Sequence, residues 1–271
     1  MLGFAPTMQR TEEDATQARA VLESTSSSRW QELSQSTVVF GHQSIGSNII
    51  EGLETLAHRY PGFDLPIVAL SVADAVSGEL PAGPGLFHFA AGRNRDPEAK
   101  IESFRQVMAS ELGQRARIAL LKFCYADFGY EIDPDRVFEA YSRAAEELRS
   151  SNPSTRLLHV TAPLTVPWRR TALDRGKDLV KTLVRRPVYA DPNVARSRYG
   201  ARVVDRYSPW VFDIARVEST GRDGSRGLQK IGEEDAYFLR REWTEDGEHL
   251  SAPGRERVAE ELLRMLLVAL D

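Results

Sequence analysis

The sequence has very few of the residues that build disulfide frameworks and metal centres. Of its 271 residues, one is a cysteine, Cys124, and five are histidines. A single cysteine excludes a disulfide framework within the chain and a zinc site with several cysteine ligands. The histidines show no H-x-H or H-x-x-x-H spacing, so the sequence offers no metal-ligand face. We therefore expect neither a metal nor another cofactor.

Long apolar runs and an excess of positive charge are also missing. The longest apolar runs, such as 118–121, are far too short to cross a membrane. The 35 Lys and Arg residues are outnumbered by 39 Asp and Glu residues, and the net charge of −4 argues against a general nucleic-acid binder. The first residues lack the basic and apolar regions of a secretory signal. We expect a globular, cytoplasmic protein.

Short apolar runs recur along the chain, with helical segments between them. Most are continuous rather than alternating, which is typical of strands buried on both faces of a parallel sheet. The runs are 37–40, 67–72, 118–123, 157–160 and 210–214. Strands that alternate with helices imply parallel pairing with right-handed crossovers. The sequence therefore predicts an α/β protein of three-layer α/β/α, flavodoxin-like type with a five-stranded parallel sheet.

The same pattern predicts a single domain over residues 1–271, with an N-terminal helical extension over 1–35. Helices are predicted over 11–23, 29–33, 48–58, 100–112, 134–150, 194–207 and 252–270, the last with Ser251 as its N-cap. Residues 168–186 carry seven Lys and Arg against two Asp. We interpret 168–190 as a basic helical insertion, either a solvated amphipathic helix or a cationic lid over an anionic substrate.

Two segments carry the residue types of nucleophilic catalysis. After the first predicted strand, a glycine-punctuated turn contains Ser44 and leads into a helix, whose first N–H groups can hold an oxyanion. Before the last helix, Asp246 precedes His249 by three residues. An Asp at this spacing can accept the Nδ1–H of the imidazole and leave Nε2 free to deprotonate a serine. The alternatives are a plain helix N-cap for Ser44 and an exposed loop histidine for His249.

Together the two segments resemble the SGNH/GDSL hydrolase superfamily, in which the nucleophilic serine follows the first strand and a D-x-x-H motif precedes the last helix. The resemblance implies that Ser44 is the nucleophile, His249 the base and Asp246 the carboxylate that orients it. Glu245 and Glu248 compete for that last role. The residues 41–44 read G-H-Q-S where the superfamily usually has G-D-S, which indicates a divergent branch.

The oxyanion-binding blocks of that superfamily are altered in this chain. The third block, usually G-x-N-D, falls on residues 124–127, where Ala126 stands in place of the asparagine. The glycine of the second block corresponds best to Gly92. We therefore predict that the backbone N–H groups of Ser44 and Gly92 bind the oxyanion, and that the Asn94 amide supplies the missing donor from a different loop.

Four other polar residues near the predicted strand ends are expected to bind the substrate: His42, Gln43, Asp127 and Thr161. For His42, support of the nucleophile turn and a role as an alternative base stay open, although an i, i+2 spacing rarely aligns an imidazole with a hydroxyl. Asp127 can instead hold the nucleophile turn.

Four residues in apolar segments are expected to be structural. His88 and His159 are interpreted as hydrogen-bonded core histidines, and Cys124 as a small buried residue. Lys122 lies inside an apolar strand and needs an acidic partner, for which Asp127 and Glu102 are the candidates.

The predicted function is that of a serine esterase or acyltransferase that acts on a small-molecule ester or acyl substrate without a cofactor. The dinucleotide fingerprint G-x-G-x-x-G and the phosphate-binding P-loop sequence are both absent. The altered blocks motivate an alternative, an SGNH-fold protein that binds a ligand without catalysis. The basic residues of 168–186 favour an anionic substrate, such as an acyl group carried on a phosphopantetheine.

Overall fold

A parallel sheet of six strands organises the fold. The computed structural model describes residues 13–78, 80–129, 132–167, 191–231 and 233–271. The strands are β1 Thr37–His42, β2 Ile67–Leu70, β3 Gly85–Ala90, β4 Ile118–Leu121, β5 Arg156–Val160 and β6 Val211–Phe212. Their order is β2-β3-β1-β4-β5-β6, and every neighbouring pair is parallel. All residues of β1 and β4 are buried, because these central strands are covered on both faces.

Helices cover both faces of this sheet in the described parts of the chain. They are α1 Glu13–Ser24, α2 Ser27–Ser34, α3 Ile45–Arg59, α4 Val72–Ser77, α5 Pro97–Ala109, α6 Glu111–Gln114, α7 Pro134–Ser151, α8 Pro192–Tyr207, α9 Ile214–Ser219 and α10 Ala252–Val268. Val38 and Phe40 of β1 share a core with α3 and α10, whereas Val39 shares one with α5, α7 and α8. This alternation follows from the period of two in a strand. A separate antiparallel hairpin joins β7 Leu228–Ile231 to β8 Glu234–Tyr237.

The three-layer α/β/α architecture predicted from the sequence is confirmed, but the sheet has one strand more than predicted. The additional strand is β3, with the sequence GLFHFA, which pairs with both β1 and β2. The sequence pattern did not predict this strand, although the segment is apolar apart from His88. The predicted helix over 100–112 is two helices, because Ser110 adopts an extended conformation (φ −80°, ψ 175°) between α5 and α6.

The order in which successive strands are added to the sheet reverses at β1. The strands β2 and β3 are added on one side of it, and β4 to β6 on the other. In open α/β sheets, ligands bind beyond the carboxyl ends of the strands at such a switch point. Gly41 allows the close packing there, since a Cβ at this position would lie 3.1–3.2 Å from the side chains of Phe89, Leu121 and Phe104.

The N-terminal helices pack against the last helix. Arg19 of α1 donates to Glu260 of α10 at 2.7 Å, and Arg29 of α2 donates to the backbone oxygen of Leu267 at 2.8 Å. Within the described ranges, no helix is long and apolar enough to span a membrane. The predicted basic insertion over 168–190 lies outside the described residues.

Candidate active site

Ser44 lies at the carboxyl end of β1, in a backbone conformation that residues other than glycine rarely adopt. Its φ is +48° and its ψ is −103°. Such strain persists only where the surrounding structure enforces it, and it is concentrated at functional sites. The residue occupies the N-cap position of α3, yet its side chain makes no capping bond. Instead, Ser44 Oγ lies 2.9 Å from Nε2 of His249.

Asp246 completes a continuous hydrogen-bonded series with these two residues. Its Oδ2 lies 2.8 Å from Nδ1 of His249. The other carboxylate oxygen accepts the backbone N–H groups of His249 and Glu248, at 2.7 and 2.8 Å. These two N–H groups, and then the imidazole, hold the pKa of Asp246 well below its usual range. The contact with Nδ1 directs Nε2 towards the serine hydroxyl.

The loop that carries His249 is held in place by its own turn and by α3. Gly247 has a φ of +91°, and its N–H donates to Thr244 Oγ1 at 2.9 Å. Asn48 of α3 accepts the N–H of Leu250 at 3.1 Å. The final helix begins directly afterwards at Ala252. Ser251 occupies its N-cap position as predicted, but makes no side-chain capping bond.

Tyr125 is a site residue that the sequence reasoning missed. Its hydroxyl donates to Glu248 Oε2 at 2.7 Å, and its ring meets the His249 imidazole edge-on with centroids 6.0 Å apart. The hydrogen bond explains why Glu248 is not the partner of the imidazole. An aromatic residue two positions before Asp127 was the available sequence signal, but the spacing does not say which way the ring points.

The predicted oxyanion donors differ in whether their N–H groups already have a hydrogen-bond partner within the protein. Gly92 follows β3 in a left-handed conformation (φ +51°), and its N–H donates to Ser103 Oγ at 3.1 Å. This prediction is therefore corrected: the Gly92 N–H already has a partner. Asn94 is exposed, and its Oδ1 accepts from Lys100 Nζ at 3.0 Å, which leaves Nδ2 for another acceptor. The backbone N–H of Ser44 makes no hydrogen bond within the described part of the chain.

His42 is not placed to bind substrate or to act as a base. It is only 4% exposed, and its Nε2 lies 3.0 Å from Nδ1 of His88. A Cβ at Gly46 would lie 2.2 Å from Cγ of His42, so the imidazole lies directly beneath the first turn of α3. Burial, followed by the charge of Lys122, lowers the pKa of His42 to about 3. This position is compatible with support of the nucleophile turn, one of the alternatives that the sequence left open.

Gln43 joins the nucleophile turn to the loop after β3. Its Nε2 donates to the backbone oxygens of Ala91 and Gly92 at 3.2 and 2.8 Å. The amide N–H groups are therefore occupied by protein rather than by substrate. The contact brings Ser44 close to the segment that carries Asn94.

Asp127 and Thr161 are both buried, so their predicted contact with substrate is wrong. Asp127 is 0% exposed and pairs with Lys100 at 2.5 Å. Thr161 is 1% exposed, donates to Asp213 at 2.9 Å and accepts the N–H of Ala215 at 3.1 Å. A residue that follows a strand can point into the fold as readily as towards a ligand, and the sequence does not distinguish the two.

The other interior polar residues are only partly as predicted. Lys122 donates to the backbone oxygen of Phe123 at 3.0 Å rather than pairing with Asp127, and burial lowers its pKa to about 8. Cys124 is a buried free thiol, as expected. His159 is a hydrogen-bonded core histidine, with Nδ1 lying 2.8 Å from the hydroxyl of Tyr141.

Comparisons with known proteins give structural similarity only. No protein-family model and no curated protein matches the chain. A Streptococcus pneumonia protein described as a platelet activating factor is 13% identical, with a TM-score of 0.47 over 96% of this chain and 94% of that one. The lipase Lip_vut3 from a goat rumen metagenome is 11% identical, with a TM-score of 0.44 over 84% and 96%.

A Desulfitobacterium hafniense protein assigned to the G-D-S-L family of lipolytic proteins is 11% identical, with a TM-score of 0.38 over 85% of this chain and 99% of that one. The family that the sequence resembles is thus also named among the similar structures. At identities of 13% or less and TM-scores of 0.47 or less, these matches carry no argument about activity. The function is argued from the geometry of the chain itself.

Proposed function

We propose that this protein is a serine-dependent esterase of SGNH type, which acts on a small-molecule ester. The observation that carries the proposal is the continuous series Ser44 Oγ, His249 Nε2, His249 Nδ1 and Asp246 Oδ2, with both contacts below 3 Å. Serine is a poor nucleophile unless a base lies within hydrogen-bond reach, and the base needs a partner that fixes its tautomer. The strained backbone of Ser44 adds independent support.

The first half of the reaction transfers the acyl group to the enzyme. Ser44 Oγ attacks the ester carbonyl carbon while His249 Nε2 takes the hydroxyl proton. The carbonyl oxygen becomes an oxyanion, which accepts hydrogen bonds from the backbone N–H of Ser44 and from Nδ2 of Asn94. The imidazolium then gives its proton to the leaving alcohol as the bond between the carbonyl carbon and the alkoxy oxygen breaks. Asp246 stabilises the imidazolium throughout this half.

The second half releases the acid. His249 removes a proton from water, the hydroxide oxygen bonds to the acyl carbon, and the bond to Ser44 Oγ breaks as that oxygen regains a proton. The side chains of His249 and Asp246 are 43% and 55% exposed, so water reaches the base. We therefore propose hydrolysis as the main outcome, with transfer to an alcohol acceptor as the competing one. A preference for anionic substrates, suggested by residues 168–186, stays a prediction.

A fluorophosphonate probe tests the proposal, because it phosphonylates only an activated serine. We expect covalent labelling of the wild-type protein, none in Ser44→Ala and strongly reduced labelling in His249→Ala. Ser47→Ala is the matched control, since this exposed serine lies one turn away on α3 and is expected to leave labelling unchanged. No labelling of the wild type over a broad pH range would favour the ligand-binding alternative.

The same variants should be tested with a panel of p-nitrophenyl esters of increasing acyl length. Adding an alcohol acceptor to this assay separates hydrolysis from transfer, because the two pathways give the free acid and a new ester, respectively. An unchanged rate of ester cleavage in Ser44→Ala would contradict the proposed function.

A further inference from the structure

A buried lysine lies next to the amide that the proposed mechanism uses. Lys100, in the first turn of α5, is 0% exposed, and its Nζ lies 3.0 Å from Asn94 Oδ1. A lysine ammonium can only donate hydrogen bonds, so the contact determines which end of the amide faces it. Nδ2 of Asn94 must then point away from Lys100. Nδ2 makes no hydrogen bond within the described part of the chain, so it can donate to a ligand.

The second partner of Lys100 is the equally buried Asp127, whose Oδ2 lies 2.5 Å from Nζ. The carboxylate also accepts two backbone N–H groups at 2.7 Å, from Arg95 on Oδ1 and from Cys124 on Oδ2. Arg95 directly follows Asn94, and Cys124 belongs to the loop after β4. One carboxylate therefore joins the loop that carries the amide to the loop on the opposite side of β1.

Stability alone does not explain an ion pair in this position. Removing two charges from water costs several kcal/mol each, and apolar replacements of a buried pair are often neutral or stabilising. The neighbouring residues of α5 that face the core, Ile101 and Phe104, show that apolar side chains suit this surface of the helix. The pair does, however, provide three directed contacts to the segment 94–95 and the loop after β4. Its geometry fits a positioning role.

The nucleophile turn and the segment that carries Asn94 are held together by Gln43. Its Nε2 donates to the backbone oxygen of Gly92, two residues before Asn94, at 2.8 Å. Gln43 directly precedes Ser44. This contact links the two segments. An interaction that orients the Asn94 side chain within its own loop therefore also orients it relative to Ser44.

We propose that Lys100 and Asp127 are positioning residues, which hold the Asn94 amide with Nδ2 facing the oxyanion that forms on Ser44. The proposal rests on the proposed function and adds to it the support behind the oxyanion donor. Lys100 itself does not touch the substrate. It acts through Asn94, so its effect must disappear when Asn94 no longer has an amide.

A double-mutant cycle tests this dependence. Asn94→Ala is expected to lower kcat about 10²–10³-fold, as the loss of one oxyanion donor does. The pair Lys100→Met with Asp127→Asn removes both charges together, so no unpaired charge is left buried. We expect this pair to lower kcat at least about tenfold with little change in KM, since misplacing a group by about 1 Å can cost 10²-fold. In the Asn94→Ala background, the pair should change kcat less than about threefold.

Two results of the cycle would overturn the proposal. One is a kcat for the charge-free pair within threefold of the wild type, and the other is an equal loss in the presence and absence of the Asn94 amide. The latter would assign Lys100 and Asp127 a purely structural role. Glu102→Gln, on the exposed face of α5, serves as the control and should leave kcat unchanged. Activity retained in Ser44→Ala would instead overturn the proposed function, and the positioning role with it.

A crystal structure of the wild-type protein with a phosphonyl group on Ser44 tests the same proposal without any substitution in the pair. The phosphonyl oxygen takes the place of the oxyanion. We expect it about 3 Å from Nδ2 of Asn94, while Oδ1 stays on Lys100. An adduct whose oxygen contacts other donors, or an Asn94 amide turned the other way, would refute the positioning role even though the adduct itself supports a reactive Ser44.

Discussion

The hydroxyl of Ser44 lies 2.9 Å from Nε2 of His249, although 205 residues separate the two in the chain. The contact is secured by the packing of α3 against α10, the two helices that begin beside these residues. Asn48 of α3 accepts the N–H of Leu250, and Arg255 of α10 pairs with Glu51 of α3. The two halves of the site are thus aligned by helices rather than by the loop of His249 alone.

The Asp246→Asn variant should test the orientation of the imidazole. An amide at this position can donate to Nδ1 and so stabilise the tautomer that carries its proton on Nε2, which cannot accept a proton from Ser44. We expect kcat to fall about 10²–10⁴-fold with little change in thermal stability. Steady-state kinetics on a p-nitrophenyl ester measures the effect. The adjacent Glu245→Gln is the control, and an equal loss in both variants would argue against a specific role for Asp246.

Substitutions of Tyr125 should separate the two contacts of this residue. Tyr125→Phe removes only the hydrogen bond to Glu248, whereas Tyr125→Leu also removes the ring edge packed against His249. Because each substitution holds the His249 imidazole less firmly, we expect kcat to fall a few-fold in Tyr125→Phe and about tenfold or more in Tyr125→Leu. KM should change little in both. A larger loss in Tyr125→Phe than in Tyr125→Leu would show that the ring does not position His249.

The buried His159 predicts a specific dependence of stability on pH. Burial lowers its pKa from 6.5 to about 3. Between these values the unfolded chain binds a proton that the native protein does not, so the free energy of unfolding falls as the pH decreases from 6.5 towards 3. The contribution of His159 is fully present above pH 6.5 and changes by about 1.4 kcal/mol per pH unit within the window.

Urea unfolding of the wild type and His159→Gln at several pH values between 7 and 4 measures this contribution. The glutamine can still accept from Tyr141 but does not titrate, so its stability curve should be flatter than that of the wild type. Parallel curves for His159→Gln and the wild type would contradict the lowered pKa of His159.

Gly46→Ala should damage both the fold and the site. The new Cβ would lie 2.2 Å from Cγ of His42, so the first turn of α3 or the imidazole must move. We expect a loss of about 1–3 kcal/mol in urea unfolding, together with a lower kcat because Ser44 belongs to the same turn. Gly129→Ala is the matched control, since the nearest atom among the described residues would be 3.9 Å from its Cβ and its φ is −72°. A Gly46→Ala protein with unchanged stability and kcat would show that the turn tolerates displacement.

The sequence indicates most clearly those site residues whose chemistry requires a particular position or spacing along the chain. Ser44 follows a buried strand, and Asp246 and His249 have the spacing that a carboxylate needs to reach Nδ1 within one turn. Each requirement leaves a local pattern, and the structure places His249 within hydrogen-bond distance of both Ser44 and Asp246. The three-layer fold could be predicted for a similar reason, since buried parallel strands leave continuous apolar runs.

The supporting residues could not be predicted, because their roles depend on which way side chains point across the sheet. His42 and Asp127 follow strands as a ligand-binding residue would, but both turn inward and meet buried partners, His88 and Lys100. Lys100 lies on the apolar face of its helix, four residues before Phe104 and seven before Val107, but this spacing does not distinguish a buried ammonium from one that reaches solvent along the edge of that face. Strand β3 was missed although it is as apolar as the predicted run 157–160, since each contains a single polar residue, His88 or His159.

The backbone strain at Ser44 lowers the stability of the fold at the same residue that supplies the proposed nucleophile. Holding a non-glycine residue at a φ of +48° costs about 1–3 kcal/mol, whereas a glycine there would cost about 0.5–1 kcal/mol in chain entropy. Ser44→Gly should therefore unfold at a higher temperature than the parent protein while lacking any nucleophile. Because this variant would be stable and unable to cleave an ester, it could be used to capture an intact substrate and identify it.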